Sequence, residues 1–219
     1  MQNWLFDVRS RPFLLLATIF VVMTVVVNAK VTAEFDKATI SYFQSSAGNS
    51  TLDLLMWTIT EIGNVPWLVL FSIVLFIIRK TRRVGLILLL TLVAGTIATG
   101  YIKGYVVDNP RPKLEFLGTK LPFDVGKDTF VLGTDGSFPS GHATRAASLA
   151  LIMGYALSRR FPRGSYLIWI FPLLESISRV YVLQHYPMDV MGGTVFGILI
   201  AGIIGKKLKL QDIFKKSEA

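Results

Sequence analysis

The feature that most constrains the fold is a series of long apolar runs separated by short clusters of basic residues. The run at residues 84–102 contains no charged side chain, and neither does the run at residues 13–29. A helix needs roughly 20 mostly apolar residues to cross a bilayer, where its backbone polar groups are satisfied within the helix itself. The sequence therefore predicts an all-α integral membrane protein.

Composition agrees with this interpretation, since 52% of the residues are hydrophobic and 17% are charged. The formal net charge of +9 could suggest a nucleic-acid partner, but the basic residues lie between apolar runs and not along one solvated face. We therefore expect the lipid bilayer as partner and no nucleic acid. The chain has no cysteine, which excludes a disulfide, a thiolate metal site and a cysteine nucleophile.

Six apolar segments predict a bundle of six transmembrane helices in a single domain, residues 1–219. The segments are 13–29, 54–78, 84–102, 143–157, 165–177 and 190–204. The first could be a signal peptide, but no small-x-small cleavage site is evident and we prefer an uncleaved span. The polar segment 31–53 is expected to be partly helical and to lie along the outer surface, and 206–219 is expected to form a short cytoplasmic tail.

Two features add detail to the predicted bundle. Gly63, Asn64 and Pro66 interrupt the second segment, which should bend near the interface before it enters the membrane. The last segment carries glycines that favour close helix contacts, namely Gly192, Gly193, Gly197, Gly202 and Gly205.

Charge predicts the orientation of the bundle. Most of the 23 lysine and arginine residues lie near the N-terminus, at 79–83, at 159–163 and after 205. By the positive-inside rule these regions and both termini are cytoplasmic. The stretches 103–112, 137–142 and 178–189 then meet on the outer, non-cytoplasmic face. The polar loop 104–138 between the first two is predicted to act as a lid or a substrate platform.

The stretch 137–142 reads Ser-Phe-Pro-Ser-Gly-His and stands where a polar loop turns into an apolar run. Glycine allows a ligand to approach the main chain, and the open amides at a helix start favour an anion. Lys103, Arg111 and Arg179 stand at the same predicted membrane edge and supply positive charge, and the planar fork of arginine suits tetrahedral oxyanions. The expected ligand is a phosphate group.

Two histidines supply the predicted chemistry. Neither has a second histidine or a cysteine at metal-ligand spacing, so we expect no metal. His185 is the predicted nucleophile, with Asp189 fixing its tautomer from four residues on, although Pro187 between them indicates that a helix begins there. His142 is then the general acid that protonates the leaving group and later activates water.

These residues together carry a family resemblance. Lys103 with Arg111-Pro112, then Pro139-Ser140-Gly141-His142, then Ser178-Arg179 with His185 and Asp189, resemble the three-part signature of the type 2 phosphatidic acid phosphatase superfamily. The resemblance covers about residues 50–205, after an N-terminal span and surface segment at 1–53. It implies a six-helix bundle, a metal-independent phosphohistidine intermediate without a cofactor, and a phosphate pocket completed by Ser140 and the Gly141 amide.

The first part of the signature departs from the family pattern by one residue. The pattern has six residues between lysine and Arg-Pro, whereas seven separate Lys103 from Arg111, so that Gly104 stands where the lysine is expected. Either the end of the helix takes up one extra residue or the role of Lys103 is altered.

Other charged residues leave alternatives open. Glu175 precedes Arg179 by four residues, and we expect it to steady that arginine and not to act as a catalytic acid. Arg145 could face either the pocket or a lipid headgroup.

A site at the outer membrane edge favours a substrate whose phosphate lies at headgroup depth and whose tail stays in lipid. We place an undecaprenyl- or dolichyl-type isoprenoid pyrophosphate first, with phosphatidylglycerol phosphate or phosphatidic acid as the alternative. Transfer of the phosphoryl group to another lipid would use the same residues as hydrolysis. A non-catalytic lipid-phosphate binder or transporter would also use the cations, but it would need no nucleophile.

Overall fold

The computed structural model describes residues 6–119, 136–158 and 160–213. Within these ranges the chain forms eight α-helices and no β-strand, as the all-α prediction requires. They are α1 (Arg11–Asn28), α2 (Ala33–Ser46), α3 (Ser50–Ile62), α4 (Val65–Ile77), α5 (Arg82–Tyr105), α6 (Gly141–Ser158), α7 (Ile170–Tyr181) and α8 (Pro187–Lys207). Part of the predicted lid or platform at 104–138, and part of the predicted tail, lie outside the described residues.

Helix starts follow from local sequence. Ser10 precedes α1, and its Oγ accepts a hydrogen bond from the backbone N–H of Phe13 (3.3 Å). Asn49 precedes α3, and its Oδ1 accepts a hydrogen bond from the backbone N–H of Leu52 (3.1 Å). Such caps satisfy amides that the first turn of a helix leaves open. The polar segment 31–53 contains α2 and the start of α3, so it is partly helical, as predicted.

The second predicted span is broken at Gly63 and Asn64, and the axes of α3 and α4 differ by 51°. Asn64 Oδ1 accepts a hydrogen bond from the N–H of Val65 (2.9 Å), and Pro66 stands in the first turn of α4. Proline has no N–H to donate, so it fits a helix start and disfavours a continuous helix through this point. The predicted bend is confirmed.

Three of the described helices are long and apolar enough to cross a membrane, namely α1, α5 and α8. A fourth crossing results if α3 and α4 act as one broken span. The six predicted spans are thus confirmed only in part. Helix α7 has 12 residues and follows a 3₁₀ turn at Gly164–Trp169, since Pro172 cannot donate the hydrogen bond that a regular helix would need there.

Helix α6 occupies the centre of the bundle, where it packs against α5, α7 and α8. Residues 141–152 are buried without a break. At Gly197 of α8, an added Cβ would overlap the carbonyl oxygen of Thr144, and Ser148 Oγ donates a hydrogen bond to the Gly197 carbonyl (3.0 Å). The predicted close contact of the α8 glycines is confirmed, because only a residue without a side chain permits this approach.

Helices α5 and α7 end, and α6 and α8 begin, at one end of the bundle, which we term the site end. The backbone N–H of Ser140 donates to the carbonyl of Asp189 (2.9 Å), which joins the starts of α6 and α8. The N–H of Ser137 donates to the carbonyl of Asn109 (2.6 Å), which joins the segment after α5 to the segment before α6. The fold thereby gathers stretches that are far apart in sequence.

Candidate active site

His185 and Asp189 lie side by side at the site end, and both are fully buried. His185 belongs to the turn after α7, whereas Asp189 is the third residue of α8, which begins at Pro187 as the proline indicated. The distance from His185 Nδ1 to Asp189 Oδ2 is 3.5 Å. A carboxylate at this place favours the tautomer that carries its proton on Nδ1.

Ser137 lies between the histidine and the carboxylate. Its Oγ donates a hydrogen bond to Asp189 Oδ2 and lies 3.2 Å from His185 Nδ1. Since the hydroxyl proton is directed to the carboxylate, the oxygen can accept a hydrogen bond from the Nδ1–H group. This relay leaves the lone pair of the imidazole on Nε2, which is the atom that would attack an electrophile.

Two further donors hold the Asp189 carboxylate. Asn109 Nδ2 donates to Oδ1 (3.1 Å), and the backbone N–H of Tyr186 donates to Oδ2 (2.8 Å). Hydrogen bonds to an ionised acceptor are stronger than neutral ones, and a buried carboxylate without them would be costly. The orientation of His185 therefore depends on the segment after α5 as well as on α8.

His142 is the second residue of α6 and is buried. Ser140 stands just before the helix, and its Oγ accepts a long hydrogen bond from the N–H of Ala143 (3.4 Å). Gly141 is the first helical residue. Because the Ser140 N–H is bonded to the Asp189 carbonyl, the Ser-Gly-His helix start lies against the start of α8 and next to the turn that carries His185.

Arg111 and Arg179 both contact the turn of His185. Arg111 is half-buried, and its Nη1 lies 3.5 Å from both the carbonyl and Oε1 of Gln184. The carbonyl of Arg179 accepts hydrogen bonds from the N–H groups of Gln184 (3.0 Å) and His185 (3.3 Å). The two arginines thus come from separate parts of the chain to the same turn.

The guanidinium of Arg179 is fully buried and is held by α3. Its Nη1 donates to Thr60 Oγ1 (3.1 Å), and Thr60 Oγ1 lies 3.5 Å from Glu175 Oε1. Glu175 is also fully buried, one helical turn before Arg179. Arg145 is 3% exposed, within the buried stretch of α6. The alternative in which Arg145 reaches a lipid headgroup is therefore wrong.

Lys103 lies in the last turn of α5 and is 8% exposed, whereas the neighbouring Gly104 is exposed. The helix closes with a widened turn, in which the N–H of Val107 donates to the carbonyl of Ile102 (3.0 Å) five residues earlier. Position 103, and not position 104, therefore faces the protein. This geometry favours the alternative in which the helix end takes up the extra residue.

The structure also brings polar residues to the site end that sequence reasoning did not assign. Ser137 and Asn109 bind Asp189, as described, and Gln184 contacts Arg111. Ser137 is the first residue of the stretch 137–142, and this position was the only sequence feature that linked it to the site. Asn109 sits in the polar segment between Lys103 and Arg111 and had no signal of its own.

Asp36 of α2 is a further unassigned residue. Its Oδ2 accepts a hydrogen bond from Thr32 Oγ1 (2.8 Å). Burial raises the pKa of the Asp36 carboxyl, as does the charge of Asp189, while the Thr32 hydroxyl and the N–H of Met188 oppose the shift. Burial and the same two carboxylates raise the pKa of Tyr186. Helix α2 therefore places a second carboxylate beside the start of α8.

No group of three His, Asp or Glu side chains lies at metal-binding distances in the part of the chain that the structure describes. The polar groups that meet at the site end are instead two imidazoles, a carboxylate, hydroxyls and several cations. Such a set can bind a phosphoryl group and transfer it by nucleophilic attack.

Comparison with known proteins identifies the family. The sequence profile of the PAP2 superfamily matches residues 84–209, which is more than half of the chain and includes every predicted site residue. The chain belongs to the PAP2 superfamily. The resemblance seen in the three motifs is thus confirmed, and the protein is a hydrolase of the phosphatase class with membrane-spanning helices.

Relatives of this PAP2 protein include two enzymes of Bacillus subtilis. The undecaprenyl-diphosphatase BcrC is 36% identical over 154 residues, which cover 69% of this chain and 72% of that protein. Phosphatidylglycerophosphatase B is 29% identical over 160 residues, which cover 68% of this chain and 71% of that protein. Both are similar over more than two thirds of their length.

The fold also has a solved counterpart. The crystal structure of a transmembrane PAP2-type phosphatidylglycerolphosphate phosphatase from Bacillus subtilis superposes with a TM-score of 0.72. The match covers 93% of this chain and 98% of that one, at 23% sequence identity. At this identity the likeness establishes the PAP2 membrane fold.

Proposed function

We propose that this PAP2 phosphatase removes phosphate from an isoprenoid pyrophosphate, of undecaprenyl or dolichyl type, through a phosphohistidine intermediate. The observation that carries the mechanism is the Ser137 hydroxyl between His185 Nδ1 and Asp189, because it keeps the reactive lone pair on Nε2. The substrate class is supported by the 36% identity to an undecaprenyl-diphosphatase over 69% of this chain.

In the first step, His185 Nε2 attacks the terminal phosphorus and the bond to the bridging oxygen breaks. The electron pair leaves with the lipid monophosphate, and His142 protonates the departing oxygen. In the second step, His142 removes a proton from water, the water oxygen attacks the phosphorus of phosphohistidine, and inorganic phosphate departs from the regenerated imidazole.

The cations Lys103, Arg111 and Arg179 bind the phosphoryl oxygens, together with the Ser140 hydroxyl and the Gly141 amide. Phosphoryl transfer depends mainly on positioning and on electrostatic stabilisation of the equatorial oxygens. The buried setting of Arg179 and Lys103 supports this role, because charges act more strongly where water is excluded. No metal or cofactor takes part in the proposed reaction.

The proposed membrane arrangement has six crossings, with α6 and the 3₁₀–α7 unit as the two that composition alone does not identify. Both termini lie in the cytoplasm and the site end faces outward, in keeping with the basic residues at the opposite end of the bundle. The whole chain then acts as a single phosphatase domain whose substrate enters from the bilayer.

A substrate panel tests the proposal. Purified protein in detergent receives undecaprenyl pyrophosphate, undecaprenyl monophosphate, phosphatidylglycerol phosphate and phosphatidic acid in separate assays, and released phosphate is measured with and without EDTA. We expect the highest kcat/KM with the pyrophosphate, no loss in EDTA and inhibition by vanadate, which imitates five-coordinate phosphorus. A strict requirement for magnesium would contradict the mechanism.

The second candidate is a phosphatidylglycerol phosphate phosphatase, which the 29% identity to phosphatidylglycerophosphatase B favours. The panel separates the two, since this candidate requires phosphatidylglycerol phosphate to be the preferred substrate. A lipid-phosphate binder or transporter would bind the same lipids without releasing phosphate. The oriented His185 argues against such a protein, because binding alone needs no nucleophile.

A further inference from the structure

Asp53 of α3 is a fully buried carboxylate at the site end and takes no part in the proposed chemistry. Its Oδ2 accepts hydrogen bonds from the backbone N–H groups of Thr119 (2.8 Å) and Gly48 (3.2 Å). Its Oδ1 accepts a hydrogen bond from the hydroxyl of Tyr181 (2.6 Å). One side chain thus binds α3 to the end of α7 and to the segment that follows α5.

The hydrogen bond between Asp53 and the Thr119 backbone affects the position of Arg111. The segment 109–119 is fixed near its start, where Asn109 bonds to Asp189 and to Ser137, and near its end, where Thr119 bonds to Asp53. Arg111 lies between the two fixed points. The distance from its guanidinium to the turn of His185 therefore depends on both anchors.

The far end of the segment fits closely over the carboxylate. A Cβ at Gly118 would lie 2.5 Å from Asp53 Oδ2, so the absence of a side chain there lets the backbone reach the carboxylate. Phe116 is buried beside this point, with its ring centroid 6.0 Å from that of Trp57 and 5.8 Å from that of Tyr181. Apolar packing and charged hydrogen bonds thus hold the same piece of chain.

The hydrogen bond between Asp53 and the Tyr181 hydroxyl affects the position of Arg179. Tyr181 is two residues further along α7, and the carbonyl of Arg179 accepts the N–H groups of Gln184 and His185. A hydrogen bond that fixes the Tyr181 ring to α3 therefore also limits movement of the turn that carries the nucleophile. The side chain of Arg179 is also bound to α3, through Thr60.

We propose that Asp53 is a positioning residue for the two phosphate-binding arginines, which fixes Arg111 through the Thr119 backbone and Arg179 through Tyr181. The inference rests on the proposed phosphatase function. Burying a carboxylate is costly unless its oxygens are hydrogen-bonded, and here the bonds come from groups that adjoin the site and not from the site itself. Because α3 is a regular helix, its hydrogen bonds through Asp53 hold Arg111 and Arg179 at a defined distance from each other.

The test compares Asp53→Asn and Tyr181→Phe with the control Glu61→Gln. Glu61 is another carboxylate of α3, and its described hydrogen bonds are to the side chains of Trp67 (2.9 Å) and Asn64 (3.4 Å). Each full-length protein is purified in detergent and its thermal unfolding is recorded. The kcat, the KM and the vanadate inhibition constant are measured, and hydrogen exchange is followed in peptides covering 107–119.

Asparagine keeps the shape of aspartate but loses the charge and one acceptor. We expect Asp53→Asn to raise KM and the vanadate inhibition constant about tenfold, since losing a hydrogen bond to a charged group costs roughly one factor of ten or more. Exchange in 107–119 should become faster. Tyr181→Phe keeps the Thr119 bond, so it should raise KM by a smaller factor and leave exchange in 107–119 close to that of the wild type.

A merely structural role predicts a different pattern. Asp53→Asn would then unfold at a lower temperature while the folded fraction kept the wild-type KM, vanadate affinity and exchange rates, and this result would overturn the inference. If Asp53→Asn does not fold, an unchanged KM and vanadate affinity in Tyr181→Phe would overturn it equally. If the wild-type protein neither releases phosphate nor binds vanadate, the proposed function fails, and exchange in 107–119 still decides whether Asp53 holds the segment.

Discussion

Two buried aspartates at the same end of the bundle, Asp189 and Asp53, have different kinds of hydrogen-bond partner. Both are fully buried and both accept several hydrogen bonds. The partners of Asp189 include the Ser137 hydroxyl and the imidazole of His185, which is the proposed nucleophile. The partners of Asp53 are two backbone amides and a phenol, which serve as fixed points of the fold.

Burial and the number of hydrogen bonds therefore do not distinguish the two proposed roles, in catalysis for Asp189 and in positioning for Asp53. The distinction lies in what the donors are attached to. A carboxylate bonded to the imidazole of a nucleophile changes the reactivity of that ring, whereas one bonded mainly to backbone amides changes where a segment lies. The two roles should separate in kinetics, since the first affects kcat and the second mainly affects binding.

The largest loss of activity is expected at His185, the histidine beside Asp189. His185→Ala removes the proposed nucleophile, and we expect a loss of phosphate release of about 10³-fold or more. Release is measured in detergent with undecaprenyl pyrophosphate. The control is Met191→Ala, a change at an exposed residue on the first turns of α8. Comparable activity in the two variants would remove His185 from the mechanism.

The next effect compares the two aspartates directly. Asp189→Asn keeps the shape of the side chain but presents an amide donor, which favours the wrong tautomer of His185. We expect kcat to fall by roughly 10²-fold to 10⁴-fold, as expected when an orienting carboxylate is lost beside a catalytic histidine. Asp53→Asn should instead act on KM. Steady-state kinetics of both variants measure kcat and KM separately. Equal losses of kcat in the two variants would contradict different roles for the two aspartates.

A smaller effect is expected at the hydroxyl partner of each aspartate. Ser137→Ala removes the group between Asp189 and His185, and we expect kcat to fall about tenfold, as one charge-assisted hydrogen bond is lost. Tyr181→Phe is the matched change beside Asp53 and should leave kcat close to that of the wild type. An unchanged kcat in Ser137→Ala would argue against the relay.

The smallest effect concerns Asp36, a third buried aspartate, which lies beside the start of α8. Burial raises its pKa above the ordinary 3.8, so the folded state binds the proton more tightly than the unfolded state does. The stability this group contributes is present at low pH and is lost as pH rises through the folded-state pKa.

Asp36→Asn should therefore raise the unfolding temperature slightly at pH 7 and leave it unchanged below pH 3.8. Thermal unfolding in detergent at both pH values measures the effect. Glu34→Gln, at a carboxylate on the same helix that is 93% exposed, is the control and should show no such difference. A lower unfolding temperature for Asp36→Asn at pH 7 would mean that the hydrogen bonds of the carboxylate outweigh the cost of its burial.

The fold was largely predictable because it depends on local patterns. The long uncharged run after residue 83 became α5, and the break before Pro66 became the bend between α3 and α4. Helix α6 was predicted as a span but is not among the helices apolar enough to cross a membrane, since it contains Arg145, serine and threonine. Its polar residues are tolerated because neighbouring helices, and not lipid, surround it.

The candidate site was predictable to the extent that it lies in compact motifs. His142 stands beside Ser140 and Gly141 in the sequence, and His185 stands near Asp189, so each group could be recognised by residue type and spacing. Asn109, Thr60 and Asp53 carry no such signal, since an asparagine in a polar segment or an acidic residue in a first helical turn is common. Their importance depends on partners that are 80 to 128 positions away.

The sequence by itself determined that the chain is a helical membrane protein of the PAP2 type, because apolar run length and motif spacing are properties of neighbouring residues. Tertiary structure alone decided that Ser137 comes between His185 and Asp189, and that Asp53 holds the segments of both arginines. Such contacts join residues whose distance in space has no relation to their separation in sequence. They arise only when helix packing brings the ends of α5, α6, α7 and α8 together.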